Sequence, residues 1–160
     1  MSKSLTRVRA ALVAAGVAPD IRETALARTA LDAATALGCS VDQIAKSIVL
    51  YAPDRDELVL FLTAGGSRVD LDKAGALMGG PLTKADASQV RQRTGFAIGG
   101  VAPLGHLTPP RGFFDPKLLT FDRIWAAAGT PHHVFGIEPH RLIQISEAQP
   151  ADFTSISEKM

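Results

Sequence analysis

Apolar residues recur at helical spacing near the start of the chain. Leu5, Val8, Leu12 and Ala15 share one helix face, and Gly16 stands where a helix C-cap would lie. This pattern predicts an amphipathic first helix. The alternative, for a basic N-terminus followed by an Ala-rich stretch, is a weak signal peptide. No apolar run approaches the length of a membrane span.

Capping signals then mark a series of short helices. Thr29 and Gly38 bound an Ala-rich segment, and Ser40 with Gln43 forms a capping box directly afterwards. Two short helices are therefore predicted before residue 45. Two more helices are each predicted from a capping aspartate and a closing glycine, namely Asp70 with Gly79 and Asp86 with Gly95.

The periodicity changes to that of strands after the second capping box. Ile44 to Ala52 and Glu57 to Thr63 are rich in β-branched and aliphatic residues, and residues 53–56 between them have turn chemistry, so a β-hairpin is predicted. In the second half, which is richer in Gly and Pro, the predicted strands are 97–101, 112–114, 123–128 and 133–138, with a loop at 103–111 and a last helix from Pro139.

Helices and strands are thus interspersed without regular alternation. This favours an α+β fold in which one compact domain, residues 1–160, has a mixed, mainly antiparallel and barrel-like sheet surrounded by helices. The residues after Gln149 are polar, and we expect them to fray.

Composition narrows the classes of function. A chain of 160 residues buries roughly 70% of its unfolded surface, so it needs no disulfide or structural metal. The single cysteine, Cys39, cannot form an internal disulfide, which is typical of a reduced, cytoplasmic protein. A net charge of +1 argues against broad nucleic-acid binding, but it leaves room for a protein that binds one end of a nucleic acid.

Lys46 is the most informative single residue. Strand alternation places it on the same face as Ile44 and Ile48, among large aliphatic side chains. One interpretation is a lysine whose stem packs on apolar surface while its ammonium group reaches water. The other is a cationic anchor at the rim of an apolar pocket, which would hold a phosphate or a ribose-linked ester.

A glycine-rich loop is the second candidate. Gly99 and Gly100 follow an apolar segment, and Pro103 fixes a turn shortly afterwards. Such a loop could be a simple bend, or it could direct backbone N–H groups at a carbonyl or an oxyanion.

Other chemistry has little support in the sequence. Cys39 is best explained as a small buried thiol. None of the four histidines has the spacing of a metal site, so no metal or other cofactor is predicted. They are His106, His132, His133 and His140.

These segments, taken together, resemble the YbaK family of aminoacyl-tRNA editing proteins, which are relatives of the insertion domain of bacterial prolyl-tRNA synthetase. The resemblance covers nearly the whole chain, in order. It rests on Val41 to Leu50, on Arg68-Val69-Asp70 with Lys73, on Gly95 to Gly105 with its Gly-x-x-x-Pro element, and on Ala128 to His132.

The resemblance implies metal-independent hydrolysis of the ester in a mischarged tRNA, most plausibly a proline tRNA. It makes Lys46 the catalytic residue, at the terminal adenosine end of the substrate. The loop that it implies for substrate binding comprises Gly99, Gly100, Val101, Ala102 and Pro103, and His132 falls at a further polar position of the family. The implied partners are the acceptor end of a mischarged tRNA and, as a further candidate, prolyl-tRNA synthetase.

One residue departs from the family pattern. The alanine-editing branch usually has Asn after the lysine, whereas Ser47 stands here. This weakens an assignment to alanine and leaves cysteine, 2-aminobutyrate, serine and threonine open. A different class also stays open, namely a non-catalytic module of the same fold that binds a tRNA acceptor end or a nucleotide.

Overall fold

The computed structural model describes residues 2–25 and 29–155. Its α-helices are Lys3–Ala14 (α1), Ala30–Leu37 (α2), Leu71–Met78 (α3), Ala87–Thr94 (α4) and Pro139–Ser146 (α5). Its strands are Ile21–Glu23 (β1), Ile44–Ala52 (β2), Glu57–Ala64 (β3), Arg68–Val69 (β4), Thr83–Lys84 (β5), Arg111–Phe114 (β6), Ile124–Thr130 (β7), His133–Ile137 (β8), Gln149–Pro150 (β9) and Thr154–Ser155 (β10). Two short 3-10 helices cover Val41–Gln43 and Pro116–Thr120.

Eight of the strands form one sheet in the order β1-β8-β7-β2-β3-β6-β9, with β5 added against β2. The β2–β7, β3–β6 and β6–β9 pairs are parallel, and the β1–β8, β7–β8, β2–β3 and β2–β5 pairs are antiparallel. Strands β4 and β10 form a separate antiparallel pair. The predicted α+β fold with a mixed sheet is confirmed.

Side-chain caps define the helix starts that the sequence predicted, except that the Asp86 side chain makes no capping hydrogen bond to α4 and accepts one from Ser88 Oγ. Thr29 Oγ1 accepts a hydrogen bond from Asp32 N, and Gly38 ends α2 in the left-handed conformation. Asp70 caps α3 in the same way. The capping box of Ser40 and Gln43 is present, but it closes a single 3-10 turn and not an α-helix.

The two faces of the central strand β2 pack into different apolar clusters. Ala45, Val49 and Tyr51 contact the largest cluster, which includes Leu5, Val8 and Leu12 of α1. Ile48 and Leu50 pack on the other side with the rings of Phe61, Phe113 and Phe153. The predicted alternation is confirmed, and it places Lys46 on the Ile48 face.

The strand predicted at 97–101 is wrong. Gly100 N donates a hydrogen bond to Ala97 O (3.0 Å), which closes a tight turn. Gly99 adopts φ of +95°, a conformation that an extended strand does not contain. The two adjacent glycines therefore form a turn within the segment that the apolar pattern predicted to be a strand.

The prediction that the chain frays after Gln149 is also wrong, because the segment is ordered up to Ser155. Strands β9 and β10 pair with β6 and β4, and Phe153 is fully buried. Its ring meets that of Phe61 edge-on, with the centroids 4.9 Å apart. The aromatic anchor outweighs the polar composition of this segment. Residues 156–160 lie outside the described part of the chain.

Candidate functional site

The sheet has an opening along one edge of β2. On that edge β2 pairs with β7 only through Ile44 and Ala45, and with β5 only through Leu50 and Tyr51. Between these two contacts, residues 46–49 of β2 pair with no described strand on this edge. The gap between β2 and β7 is where a ligand can approach the middle of the sheet.

A cavity of about 510 Å³ occupies this gap. That volume is within the roughly 300–1,000 Å³ typical of small-ligand sites. Its walls are mostly apolar and come from α2, β2, β7, the start of β8 and the glycine-rich loop. Among the described residues that line it, Lys46 is the only lysine, arginine or carboxylate.

Lys46 is half-buried in this wall. Its Nζ donates a hydrogen bond to the backbone oxygen of Gly65 (3.2 Å). Burial lowers the pKa of Lys46, and the charge of Arg68 lowers it further, while Asp42 and Asp115 act in the opposite direction. A cation that is partly desolvated and held by one carbonyl can still bind an anionic or polar group that enters the cavity.

The predicted substrate-binding loop contributes two of its five residues to the cavity. Gly99 and Val101 line it, as does Gly65. Gly100 packs against the end of β7, where an added Cβ would lie 2.9 Å from Thr130 Cα. Ala102 and Pro103 are buried behind the loop, and Pro103 borders a separate cavity of about 250 Å³.

The loop is braced from α1 and from within. Arg7 donates hydrogen bonds to Gly105 O (2.6 Å) and Gly95 O (2.9 Å), and its guanidinium group lies over the Phe96 ring at 4.6 Å. The His106 ring contacts the carbonyl of Ala102 through Nε2 (2.6 Å). These contacts hold the loop in one position before any substrate arrives.

The histidine at the cavity is His133, and not the predicted His132. His132 is exposed, and its backbone N donates to Thr130 Oγ1 (3.1 Å). His133 lines the cavity, with Nδ1 2.7 Å from the same Oγ1. Either atom of this pair can be the donor, because the Thr130 hydroxyl both donates and accepts. The geometry of the connection between β7 and β8 determines which of the two adjacent histidines lines the cavity. The sequence contains no signal that distinguishes them.

A sequence model of the aminoacyl-tRNA editing domain matches residues 24–145. The chain belongs to this family. The resemblance found in the Lys46 segment and the glycine-rich loop is therefore confirmed, and the cavity between β2 and β7 is that of an aminoacyl-tRNA editing domain. Such a domain acts on aminoacyl-tRNA, so tRNA is the partner that the family implies.

Similar proteins agree with this membership. A solved structure described as a candidate trans-editing enzyme for prolyl-tRNA synthetase is 43% identical, with a TM-score of 0.90. A second structure, from work on epitope backbone grafting by computational design, is 40% identical with a TM-score of 0.89. Both matches cover 97% of this chain and 99% of theirs. YwhH of Bacillus subtilis (strain 168) is 29% identical over 118 residues, which are 74% of each chain.

Three further findings concern the rest of the editing domain. No helix among residues 2–25 and 29–155 is long and apolar enough to cross a membrane. In the same ranges, no three or more His, Cys, Asp or Glu side chains form a group that could hold a metal ion. Cys39 is half-buried, and burial raises the pKa of its thiol, which reduces the reactive thiolate form.

His106 makes the stability of the editing domain depend on pH. Burial lowers the pKa of His106 from 6.5 to about 4; the hydrogen bond to Ala102 opposes this, and the charge of Arg7 adds to it. Its Nδ1 is buried without a hydrogen-bond partner among the described residues, so a protonated ring would leave one N–H unsatisfied. The unfolded chain therefore takes up this proton more readily than the folded one.

We expect the contribution of His106 to be fully present above pH 6.5 and to be lost as the pH falls to about 4. The loss from this residue alone should be about 2–3 kcal/mol. Urea unfolding of wild type and His106→Gln at pH 7, 5.5 and 4 measures it, because glutamine can still donate to Ala102 but does not titrate. His140→Gln, at an exposed position, is the matched control. Parallel stability curves for wild type and His106→Gln would contradict this account.

Proposed function

We propose that the chain is a trans-acting deacylase that hydrolyses the ester of a non-proline amino acid on proline tRNA. The observation that carries the proposal is the position of Lys46, which among the described residues is the only lysine or arginine in the wall of an apolar cavity that Gly99 and Val101 also line. The candidate trans-editing enzyme for prolyl-tRNA synthetase, 43% identical over almost the full length, supports the choice of tRNA.

The proposed roles follow from the chemistry of an aminoacyl ester. Lys46 binds the ribose–phosphate end of the terminal adenosine, and backbone N–H groups of the loop stabilise the oxyanion that forms at the carbonyl. Water, oriented by the protein or by the neighbouring ribose hydroxyl, adds to the carbonyl carbon, and its proton passes to the ribose oxygen that leaves. The ester C–O bond then breaks, and the amino acid leaves a tRNA with a free terminal hydroxyl.

We propose that no metal ion takes part in this reaction. An aminoacyl ester is already activated, so orientation of the attacking oxygen and stabilisation of one developing charge are enough to accelerate its hydrolysis. His133, held by Thr130 at the cavity wall, replaces His132 as the proposed polar contact to the substrate.

We propose that selection among amino acids rests on the size and polarity of the cavity. A single methylene is worth only about 1–3 kcal/mol at a synthetase site, so a second site that excludes proline adds a second sieve. The hydroxyl of Ser47 is buried and without a hydrogen-bond partner among the described residues, and the walls around it include Ala45 and Ala126. The alanine walls suit small side chains, and the Ser47 hydroxyl would gain a hydrogen-bond partner from a polar one such as that of serine or threonine.

The whole chain is proposed to act as one editing domain in the cytoplasm, where translation supplies its substrate. The matched residues begin at 24, yet Arg7 of α1 holds both ends of the loop through Gly95 and Gly105. The segment before residue 24 therefore belongs to the working unit.

A deacylation panel tests the proposal. Proline tRNA charged with 2-aminobutyrate, cysteine, alanine, serine, threonine or proline is incubated with the protein, and release of the amino acid is followed with and without EDTA. We expect at least one of 2-aminobutyrate, cysteine, serine and threonine to be released, proline to stay attached, and EDTA to have no effect. Tight binding of the tRNA with no release from any ester would instead indicate a non-catalytic binding module.

A further inference from the structure

The turn that follows β3 determines where the Lys46 ammonium group lies. Gly65 in this turn provides the carbonyl to which Lys46 Nζ donates (3.2 Å). The turn is closed by a hydrogen bond from Ser67 N to Ala64 O (2.9 Å). Movement of this turn would therefore move the partner that fixes the cation at the cavity wall.

Two carboxylates hold the turn from outside. Asp42 accepts a hydrogen bond from Gly66 N (2.8 Å), and Asp115 accepts one from Ala64 N (3.0 Å). Lys117 connects the two carboxylates, since its backbone N donates to Asp115 (3.0 Å) and its Nζ lies 3.1 Å from Asp42. The turn is thus held at two backbone N–H groups by charged acceptors, which form stronger hydrogen bonds than neutral ones.

Close packing presses the same turn onto the 3-10 helix of Val41–Gln43. A Cβ added at Gly65 would lie 2.2 Å from Val41 O, and one added at Gly66 would lie 2.7 Å from Asp42 Oδ1. Only glycine fits at position 65, because Val41 O is a backbone atom, and a Cβ at position 66 would displace the Asp42 carboxylate. Asp42 and the partner of Lys46 therefore behave as one unit.

We propose that Asp42 is a positioning residue for the editing reaction, which holds the Gly65–Gly66 turn so that the Gly65 carbonyl fixes the Lys46 ammonium group. The inference rests on the proposed function of Lys46 and extends it to a residue that contacts no substrate.

Asp42 also acts on the charge of Lys46. The charged groups that face Lys46 are Arg68 beyond the turn, Asp42 on the 3-10 helix and Asp115 after β6. His133 is the titratable group on the β8 side of the cavity. Burial and Arg68 lower the pKa of Lys46, and the two carboxylates raise it. Loss of the charge at position 42 should therefore lower this pKa further, so that Lys46 loses its proton at a lower pH.

Two variants separate the hydrogen bond from the charge. Asp42→Ala removes both, whereas Asp42→Asn keeps an oxygen that can accept from Gly66 N and removes only the charge. Asp56→Asn is the matched control, because Asp56 pairs with Arg93 in the hairpin turn at the other end of β3. The readouts are kcat and KM for a mischarged proline tRNA from pH 6 to 10, thermal melting, and ¹³C NMR titration of Lys46.

We expect Asp42→Ala to lower kcat by about 10-fold or more at pH 7, since small displacements of a catalytic group have large effects on rate. Asp42→Asn should have a kcat close to that of wild type. In this variant, Lys46 should lose its proton at a lower pH than in wild type, and the rate should fall at a correspondingly lower pH. Asp56→Asn should match wild type in both respects.

Each other outcome has a clear meaning. Wild-type turnover by Asp42→Ala, beside an inactive Lys46→Ala, would overturn the positioning role and leave the proposed function standing. Equal losses in both Asp42 variants would also overturn it, because the hydrogen bond to Gly66 would then not matter.

If wild type itself releases no amino acid, the proposed function fails, and the NMR titration still tests the contact. In that case, Lys46 ¹³C signals that Asp42→Ala leaves unchanged overturn the inference, because the Gly65 carbonyl would then not have moved. If Asp42→Ala does not fold, Asp42→Ser, which shortens the side chain away from Gly66 N, takes its place.

Discussion

Lys46→Ala is expected to abolish measurable deacylation of mischarged proline tRNA, a loss of about 10³-fold or more, while the protein stays folded. Among the described residues that line the cavity, this ammonium group is the only lysine or arginine cation, and Gly65 O holds it in place. Lys46→Arg should restore little, because the planar guanidinium fork does not fit where a compact ammonium contacts the single carbonyl of Gly65.

Thermal melting distinguishes this result from unfolding. Because burial lowers the pKa of Lys46, the folded state disfavours its charge, and removing the side chain should leave the melting temperature unchanged or slightly higher. Lys84→Ala, which removes an exposed lysine from β5, is the matched control and should keep wild-type kcat. Unchanged turnover by Lys46→Ala would rule out the assignment of this residue as catalytic.

The pH profile gives an independent check on the same residue. If the charged form of Lys46 is required, turnover falls as the pH rises through its pKa, and burial places that fall below the ordinary lysine value of about 10.4. Spontaneous ester hydrolysis, measured in parallel with Lys46→Ala, is subtracted at each pH.

Gly100→Ala is expected to reduce kcat/KM by about 100-fold or more, because a displacement on the scale of 1 Å at a site can have that effect. The new Cβ would lie 2.9 Å from Thr130 Cα and 3.1 Å from Gly129 O. Both are backbone atoms at the end of β7 and cannot rotate away, so the loop must shift. Gly99 and Val101 move with it, at the cavity wall.

The same substitution should lower stability by only about 1–3 kcal/mol, the usual cost of overpacking. Gly79→Ala is the control. Gly79 ends α3 with φ of +71°, and an added Cβ would meet only the end of the Arg55 side chain at 4.0 Å, so the change should lower stability without changing kcat/KM. If Gly100→Ala and Gly79→Ala reduce activity equally, the fit of the loop against β7 does not matter for catalysis.

Local signals predicted most of the first half of the fold. The caps at Thr29 and Asp70 and the hairpin of β2 and β3 depend on residues close together in sequence, and the structure contains them. Errors had two sources, a distant contact that outweighed the local pattern and a local turn that the apolar pattern concealed. Phe153 holds a polar tail segment against Phe61, and a glycine turn at Gly99 ends an apolar stretch that resembled a strand.

The candidate site divides in the same way. Alternation along β2 predicted the face of Lys46, and the glycine-rich loop was recognisable from its composition. Fewer residues of this loop line the cavity than expected. Gly99 and Val101 line it, whereas Gly100 packs against the end of β7. His133 lines the cavity and His132 does not because of the geometry of the turn between β7 and β8. Two adjacent histidines in a sequence give no information about that geometry.

By itself, the sequence determined the α+β class, the membership in the editing-domain family and the placement of one lysine among apolar side chains, because periodicity and caps act over a few residues. The tertiary structure alone decided that a cavity exists. It arises where β2 separates from β7, and pairing between strands far apart in the chain sets that point. The same long-range packing brings Asp42 and Gly65 to Lys46, a convergence that no local pattern encodes.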